Sequence, residues 1–92
     1  MNEDLIRRRV TVSGRVQGVF FRDSARRRAD AHGVAGWIAN RPDGAVEAVL
    51  EGPSEAVERL ERFMHTGPPQ AGVEHVEVAE EDPEGLSGFE IR

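Results

Sequence analysis

The sequence predicts a two-layer α+β sandwich, and three features predict it. Apolar residues alternate at period two in four separate stretches, two intervening stretches carry an apolar stripe at helical spacing, and glycine or proline punctuates the junctions. The resulting order is strand, helix, strand, strand, helix, strand.

Each element has its own reason. Residues 9 to 13 place Val10 and Val12 on one face of a first strand, with Arg9, Thr11 and Ser13 on the other. From about Phe20 to His32 the spacing turns helical: Phe21, Ala25 and Ala29 recur every four residues, Asp23 and Arg27 form a supporting pair, and Gly33 suits the left-handed C-cap. Residues 34 to 39 read as a second strand, on which Trp37 points away from Ile38 in a core or rim position. Arg41-Pro42-Asp43-Gly44 has proline and glycine where a type I turn prefers them, so a third strand, Ala45 to Glu51, returns as the partner of a hairpin. Its Val46, Ala48 and Leu50 share one face, whereas Glu47, Val49 and Glu51 take the other, which is expected to be largely wet.

Gly52-Pro53-Ser54 opens a second helix with Ala56, Val57, Leu60, Phe63 and Met64 on its stripe. Glu55–Arg59 and Glu58–Arg62 are expected to lace its outer side, and Gly67-Pro68-Pro69 stops it. Residues 73 to 79 form a fourth strand with Val76 and Val78 inward, and Phe89 and Ile91 suggest a short closing strand after an acidic turn, Glu80 to Glu84. Two one-faced helices beside an antiparallel sheet with one apolar face make a ferredoxin-like βαββαβ sandwich, helices on one face and the other face open for binding.

Ninety-two residues suffice for one domain, 1–92, with a single modest core. Without cysteine, disulfides, thiolate nucleophiles and sulfur-bound metals are excluded, and no apolar run approaches a membrane span or a signal sequence, so a soluble, cytoplasmic protein is expected. The net charge of −5 argues against nucleic-acid partners, but the charge is divided unevenly: residues 1–46 hold nine Arg and five acids, residues 47–92 three Arg and twelve acids. Arg7 to Arg9 and Arg26 to Arg28 are expected to be solvated faces, as is the acidic tract 74–84. His32, His65 and His75 fall on different elements with no acids at metal-ligand spacing, so no metal or cofactor is expected; His32 suits a helix's last turn.

The chemistry concentrates in Gly14-Arg15-Val16-Gln17-Gly18-Val19-Phe20-Phe21-Arg22, a strand exit, a glycine-bounded loop and a helix opening on arginine. Free N–H groups at a helix start carry partial positive charge, and Gly14 and Gly18 let the loop curl several of them into one concavity. A cation in the first turn is disfavoured by the helix dipole, so Arg22 calls for a compensating anion. The alternative is a plain glycine turn with Arg22 extended into water; spacing alone leaves both open. The nucleotide-binding Gly-Lys-Ser/Thr loop is excluded because the chain has no lysine, and no Gly-x-Gly-x-x-Gly fingerprint is present. Asn40, at the end of the second strand, has an amide able to hold a water or to satisfy the turn's backbone.

Together with Gly36-Trp37-Ile38-Ala39-Asn40-Arg41-Pro42-Asp43-Gly44-Ala45-Val46-Glu47, the loop segment closely resembles the signature segments of the acylphosphatases, a likeness extended by Gly67-Pro68, Ala71, Val73 and Phe89-Glu90-Ile91. The resemblance implies metal-free hydrolysis of the carboxyl–phosphate bond of small-molecule acyl phosphates; a monomer is expected, although the sequence itself leaves oligomeric state open. It implies that Arg22 and the loop N–H groups of Arg15, Val16, Gln17, Gly18 and Val19 bind the phosphoryl group, and that Asn40 positions the attacking water. Family members often carry an aromatic residue after the final arginine; stopping at Arg92 is expected to affect the last strand's stability, not the chemistry. Two rivals are a phosphate-binding module without turnover and an RNA-recognition domain, the latter disfavoured by five aromatic residues and an acidic balance.

Overall fold

The structure is a computed structural model and describes residues 4–92. Its elements are β1 (Leu5–Arg15), α1 (Phe21–His32), β2 (Ala35–Asn40), β3 (Val46–Pro53), α2 (Ser54–Met64), β4 (Gly72–Glu81) and β5 (Phe89–Ile91). The five strands form one sheet in the order β4-β1-β3-β2-β5. Four of them pair antiparallel, but β5 lies parallel to β2, so the sheet is mixed where the sequence pattern suggested a purely antiparallel one.

Both helices cover the same face. Val10 sits opposite Ala48 and Val12 opposite Val46, while Ile38 opposes Ala48 from the other side, so the period-two pattern of three strands presents one continuous apolar surface. Phe21, Ala25 and Ala29 of α1 and Val57, Leu60 and Met64 of α2 close over it, all essentially buried. The four-residue spacing of α1 ends in one phenylalanine and two alanines, whose small side chains let that helix lie close to the sheet. Gly33 caps α1 in the left-handed conformation, its N–H donating to the carbonyl of Ala29. The Phe21 ring meets Phe63 of α2 at a centroid distance of 6.0 Å, and the Arg28 guanidinium lies 4.0 Å over the Phe63 ring.

Three expectations are corrected on the sheet. The outer face of β3 is not wet: Val49 is fully buried and Glu51 is 5% exposed. Nor are Arg7, Arg8 and Arg9 a solvated run. Arg7 Nε donates to Glu81 Oε1 at 2.8 Å, and its Nη1 reaches Glu51 at 3.4 Å. Arg9 Nε donates to the other Glu81 oxygen and its Nη1 to Glu47, both at 2.7 Å. Arg8, pointing to the helix side, donates to Glu61 at 2.8 Å and lies 3.6 Å from Glu58, so Glu58 pairs across to β1 rather than along its helix with Arg62. Arg26, Arg27 and Arg28 are exposed as expected, and Asp23 accepts from Arg27 at 2.8 Å. Finally, Val78 does face the helix side but stays 41% exposed, because β4 is an edge strand that the helices do not reach.

The outer face is therefore closed by charge, with Trp37 between Arg9 and Arg92, 5.5 Å and 4.8 Å from the ring. It is not the open binding surface the pattern suggested. Glu51 is its centre. The N–H groups of Glu84, Gly85 and Leu86 all donate to its carboxylate at 2.8–2.9 Å, pinning the segment that carries the chain from β4 to β5. Burial pushes the Glu51 carboxyl up, but these three donors and Arg7 outweigh burial and hold it below its ordinary value of 4.5.

Glu51→Ala takes the acceptor from three N–H groups and leaves Arg7 to Glu81 and Glu84 alone, so urea denaturation at neutral pH is expected to show a loss of roughly 3–5 kcal/mol. A carboxyl lowered by folding stabilises fully above the unfolded value and loses that effect as pH falls through the lower folded one. The stability gap between wild type and Glu51→Gln is therefore expected to be largest above about pH 4.5 and to shrink on acidification below it.

Candidate active site

Strands β1, β2 and β5 run in the same direction, so their C-terminal ends meet at one end of the sheet, beside the start of α1. A pocket of about 270 Å³ opens there. Gly18, Arg22, Asp23 and Asn40 supply its polar lining, and Val16, Phe20, Phe21 and Ile91 its apolar lining.

The loop between β1 and α1 has an unusual backbone. The pairing of β1 with β4 shifts register between Ser13 and Gly14, and Gly14 takes φ 118°, where a Cβ would run into the carbonyl oxygen of Gly72. Gly18 takes φ 73°. Phe20, the N-cap of α1, is also left-handed (φ 66°, ψ 23°) and gives the helix no side-chain cap. The glycines were expected to curl the chain; the phenylalanine was not. Among the described residues, none accepts a hydrogen bond from the N–H groups of Gln17, Gly18, Val19 or Phe20. A cluster of unmatched donors at a helix start attracts an anion.

Arg22 stands in the first turn, half-buried, and among the described residues no side-chain carboxylate pairs with it. Its Nη1 donates only to the Arg92 carbonyl oxygen, at 3.3 Å. Across the pocket, Asn40 ends β2 with its side chain exposed. The alternative role as a turn-satisfying side chain belongs to another residue: Asp43 accepts the Ala45 N–H at 3.0 Å and lies 2.8 Å from Arg41. The Ala45 N–H is the main reason the Asp43 carboxyl is held below its ordinary value.

Val16, Gly18, Arg22 and Asn40 thus meet at one pocket, whereas Arg15, Gln17 and Val19 do not line it. The Arg15 side chain passes over Gly72, and Val19 packs on the core. The Gln17 side chain turns the other way: its Nε2 donates to the carbonyls of Arg41 and Ala45 at 2.8 and 3.0 Å. Those two residues close the β2–β3 turn, Arg41 N–H donating to Ala45 O at 2.8 Å. Gln17 therefore clamps the loop to the hairpin that carries Asn40, a role with no signal in the sequence. Phe20, Asp23 and Ile91 are pocket residues the sequence reading did not single out; adjacency to Arg22 is a hint only for the first two. Asp23 is paired with Arg27, and none of His32, His65 and His75 lines the pocket.

Fold and pocket together define a small ferredoxin-like domain with an arginine and unmatched N–H donors at one end of its sheet. The family model "Acylphosphatase" matches residues 8–91. An acylphosphatase of Rubrobacter xylanophilus is 62% identical over 85 residues, covering 91% of this chain and 77% of that protein. One from Natronomonas pharaonis is 55% identical over 89 residues, covering 97% of each. The solved structure of an acylphosphatase from Coxiella burnetii superposes with a TM-score of 0.91 at 40% identity, covering 97% of this chain and 94% of the other. The chain belongs to the acylphosphatase family and is a hydrolase of that family.

Gln17→Ala removes both hydrogen bonds that hold the loop against the hairpin. Its stability is expected to fall by about 1–2 kcal/mol in denaturant titration, and amide exchange in residues 15–20 to accelerate while that of β1 and β3 is retained.

Proposed function

We propose that the pocket is the catalytic site and hydrolyses acyl phosphates, with Arg22 and the N–H groups of the 15–19 loop holding the phosphoryl group and Asn40 positioning the attacking water. The observation that carries this reading is the pairing of unmet groups across one small pocket. Among the described residues Arg22 has no side-chain carboxylate, the N–H groups of Gln17, Gly18 and Val19 have no acceptor, and Asn40 lines the same pocket as Gly18 and Arg22. A phosphoryl group supplies the anion that the first two require, and Asn40 offers a carbonyl to orient a water and an N–H to a phosphoryl oxygen.

The step follows from that placement. The water oxygen attacks phosphorus, the bond between phosphorus and the acyl oxygen breaks, and the pair of electrons leaves with the carboxylate. A carboxylate is a good leaving group, so no strong general acid is needed, and charge placement does most of the work. With every histidine outside the pocket and Asp23 engaged by Arg27, the water's proton passes to the substrate's own phosphoryl oxygen. In this reading the protein acts as a monomer and a single domain, since every group the step uses lies on this one fold, and the absence of cysteine is in keeping with a cytoplasmic setting.

The test is hydrolysis of acetyl phosphate in EDTA by wild type, Arg22→Ala and Asn40→Ala, with folding checked by circular dichroism. Wild-type turnover is expected, with kcat/KM falling about 10²–10³-fold or more in Arg22→Ala and about 10²-fold in Asn40→Ala. A folded wild type that binds inorganic phosphate without turnover would instead identify a binding module.

A further inference from the structure

The helix layer has an opening of its own. Where α1, α2 and the turn at residues 66–71 meet lies a cleft of about 650 Å³, more than twice the volume of the pocket at the start of α1. Its charged lining is Arg28 of α1 with Arg59 and Arg62 of α2, and among the described residues no acid lines it. In a chain of net charge −5, three cations gathered without an acid call for a reason. Arg59 and Arg62 stand three residues apart on one helix, where like charges repel, and Arg28 brings a third charge from the neighbouring helix.

The acids that could have neutralised them are engaged elsewhere. Glu58, four residues before Arg62, lies 3.6 Å from Arg8, and Glu61 accepts from Arg8 at 2.8 Å. Among the described residues, Arg28 and Arg62 pair with no side-chain carboxylate, and Arg59 has only the exposed Glu55, at 3.9 Å. Part of the cleft is preformed. The Arg28 guanidinium rests 4.0 Å over the Phe63 ring, and the lining turn is stiff, with Gly67 at φ 73° and Pro68 buried. Cleft and pocket share no lining residue: Phe63 lines the first and Phe21 the second, and the two rings stand 6.0 Å apart.

We infer that this cleft is a second anion site, separate from the pocket at the start of α1, and that it takes a short polyphosphate, free or as the phosphate chain of a nucleotide. A single phosphate carries up to about two negative charges at neutral pH and leaves a guanidinium unmatched. Linked phosphates carry more charge and spread it along a chain, so that Arg28, Arg59 and Arg62 each find oxygens for a planar fork of donors. The volume suits a ligand of that size, and Thr66 adds a hydroxyl to the lining. A long nucleic acid fits less well, because beyond the cleft it meets the surface of an acidic protein.

The experiment is an NMR titration of isotope-labelled protein with tripolyphosphate, on wild type, Arg22→Ala, Arg28→Gln, Arg62→Gln and, as a control, Arg26→Gln. Saturable shifts are expected at the Thr66 and Gly67 amides and the Arg62 side-chain Nε–H, in Arg22→Ala as in wild type. Arg28→Gln and Arg62→Gln are each expected to weaken that binding about tenfold while the remaining spectrum shows an intact fold, since both side chains are exposed. Arg26, exposed on α1 but outside the cleft, is expected to be replaceable without effect. ATP in place of tripolyphosphate separates the two sources: tighter binding of ATP assigns a nucleotide, equal or weaker binding a free polyphosphate, and either supports the site. No saturable shift at Thr66 and Gly67 overturns it, and so does an equal loss in Arg26→Gln, which reduces the binding to general attraction between charges.

Discussion

The buried Glu51 carboxylate is the interaction on which much else depends. β4 and β5 lie at opposite edges of the sheet, so the chain between residues 81 and 89 must cross its whole width. That crossing segment has no ladder of its own, and its N–H groups need acceptors. Glu51, on the central strand β3, supplies them for three successive residues and is itself neutralised by Arg7 of the neighbouring strand. With the crossing held there, Gly36 N–H donates to Gly88 O and Arg92 N–H to Ile38 O, and β5 zips alongside β2. The same pairing brings Ile91 to the pocket and the Arg92 carbonyl to Arg22. A charge cluster at one end of the sheet thus sets a wall of the site at the other.

How much of this the sequence carries differs by element for physical reasons. The inner face was legible because Val10, Val12, Ile38, Val46, Ala48 and Leu50 obey a strict period of two and are all buried together. The loop and Arg22 stood out because glycine and a first-turn arginine break local preferences, whereas Asn40 fitted a turn role equally well and was singled out only by the resemblance of its segment to a family. The outer face was not legible. Alternating charge and aliphatic residues read as wet, and the partners that bury them, Glu47, Glu51 and Glu81 for Arg7 and Arg9, lie between 38 and 74 positions away. The uneven charge of the two halves was visible, yet its meaning, that much of the basic first half is consumed by the acidic second, appears only once β1 is placed between β3 and β4. Phe20 was equally hidden, since nothing marks a phenylalanine as left-handed.

The two side-chain amides divide their labour. Gln17 is spent on the scaffold, donating to the two carbonyls of the β2–β3 turn. Asn40, at the foot of that same turn, is left free because Asp43 meets the turn's needs. The geometry between the proposed phosphoryl-binding loop and the proposed water-holding amide is therefore set by a glutamine whose side chain touches neither reactant. Such a clamp matters where donors must be aimed before the substrate arrives, because preorganised dipoles stabilise developing charge without reorganising during the reaction.

Seen as a whole, the pocket collects what a stable fold avoids: helix-start donors without a cap, an arginine set against the dipole, and a left-handed phenylalanine. Each is unfavourable alone, and the close-packed valine-rich interior offsets them. In the proposed reaction, one ligand relieves the first two at once. That relief grows as charge builds on the phosphoryl oxygens, so the unmet groups are better matched to the transition state than to the substrate. The same logic explains why the charge cluster lies at the far end of the sheet. An acidic network beside Arg22 would satisfy it permanently, and a satisfied arginine has nothing left to offer a phosphoryl group.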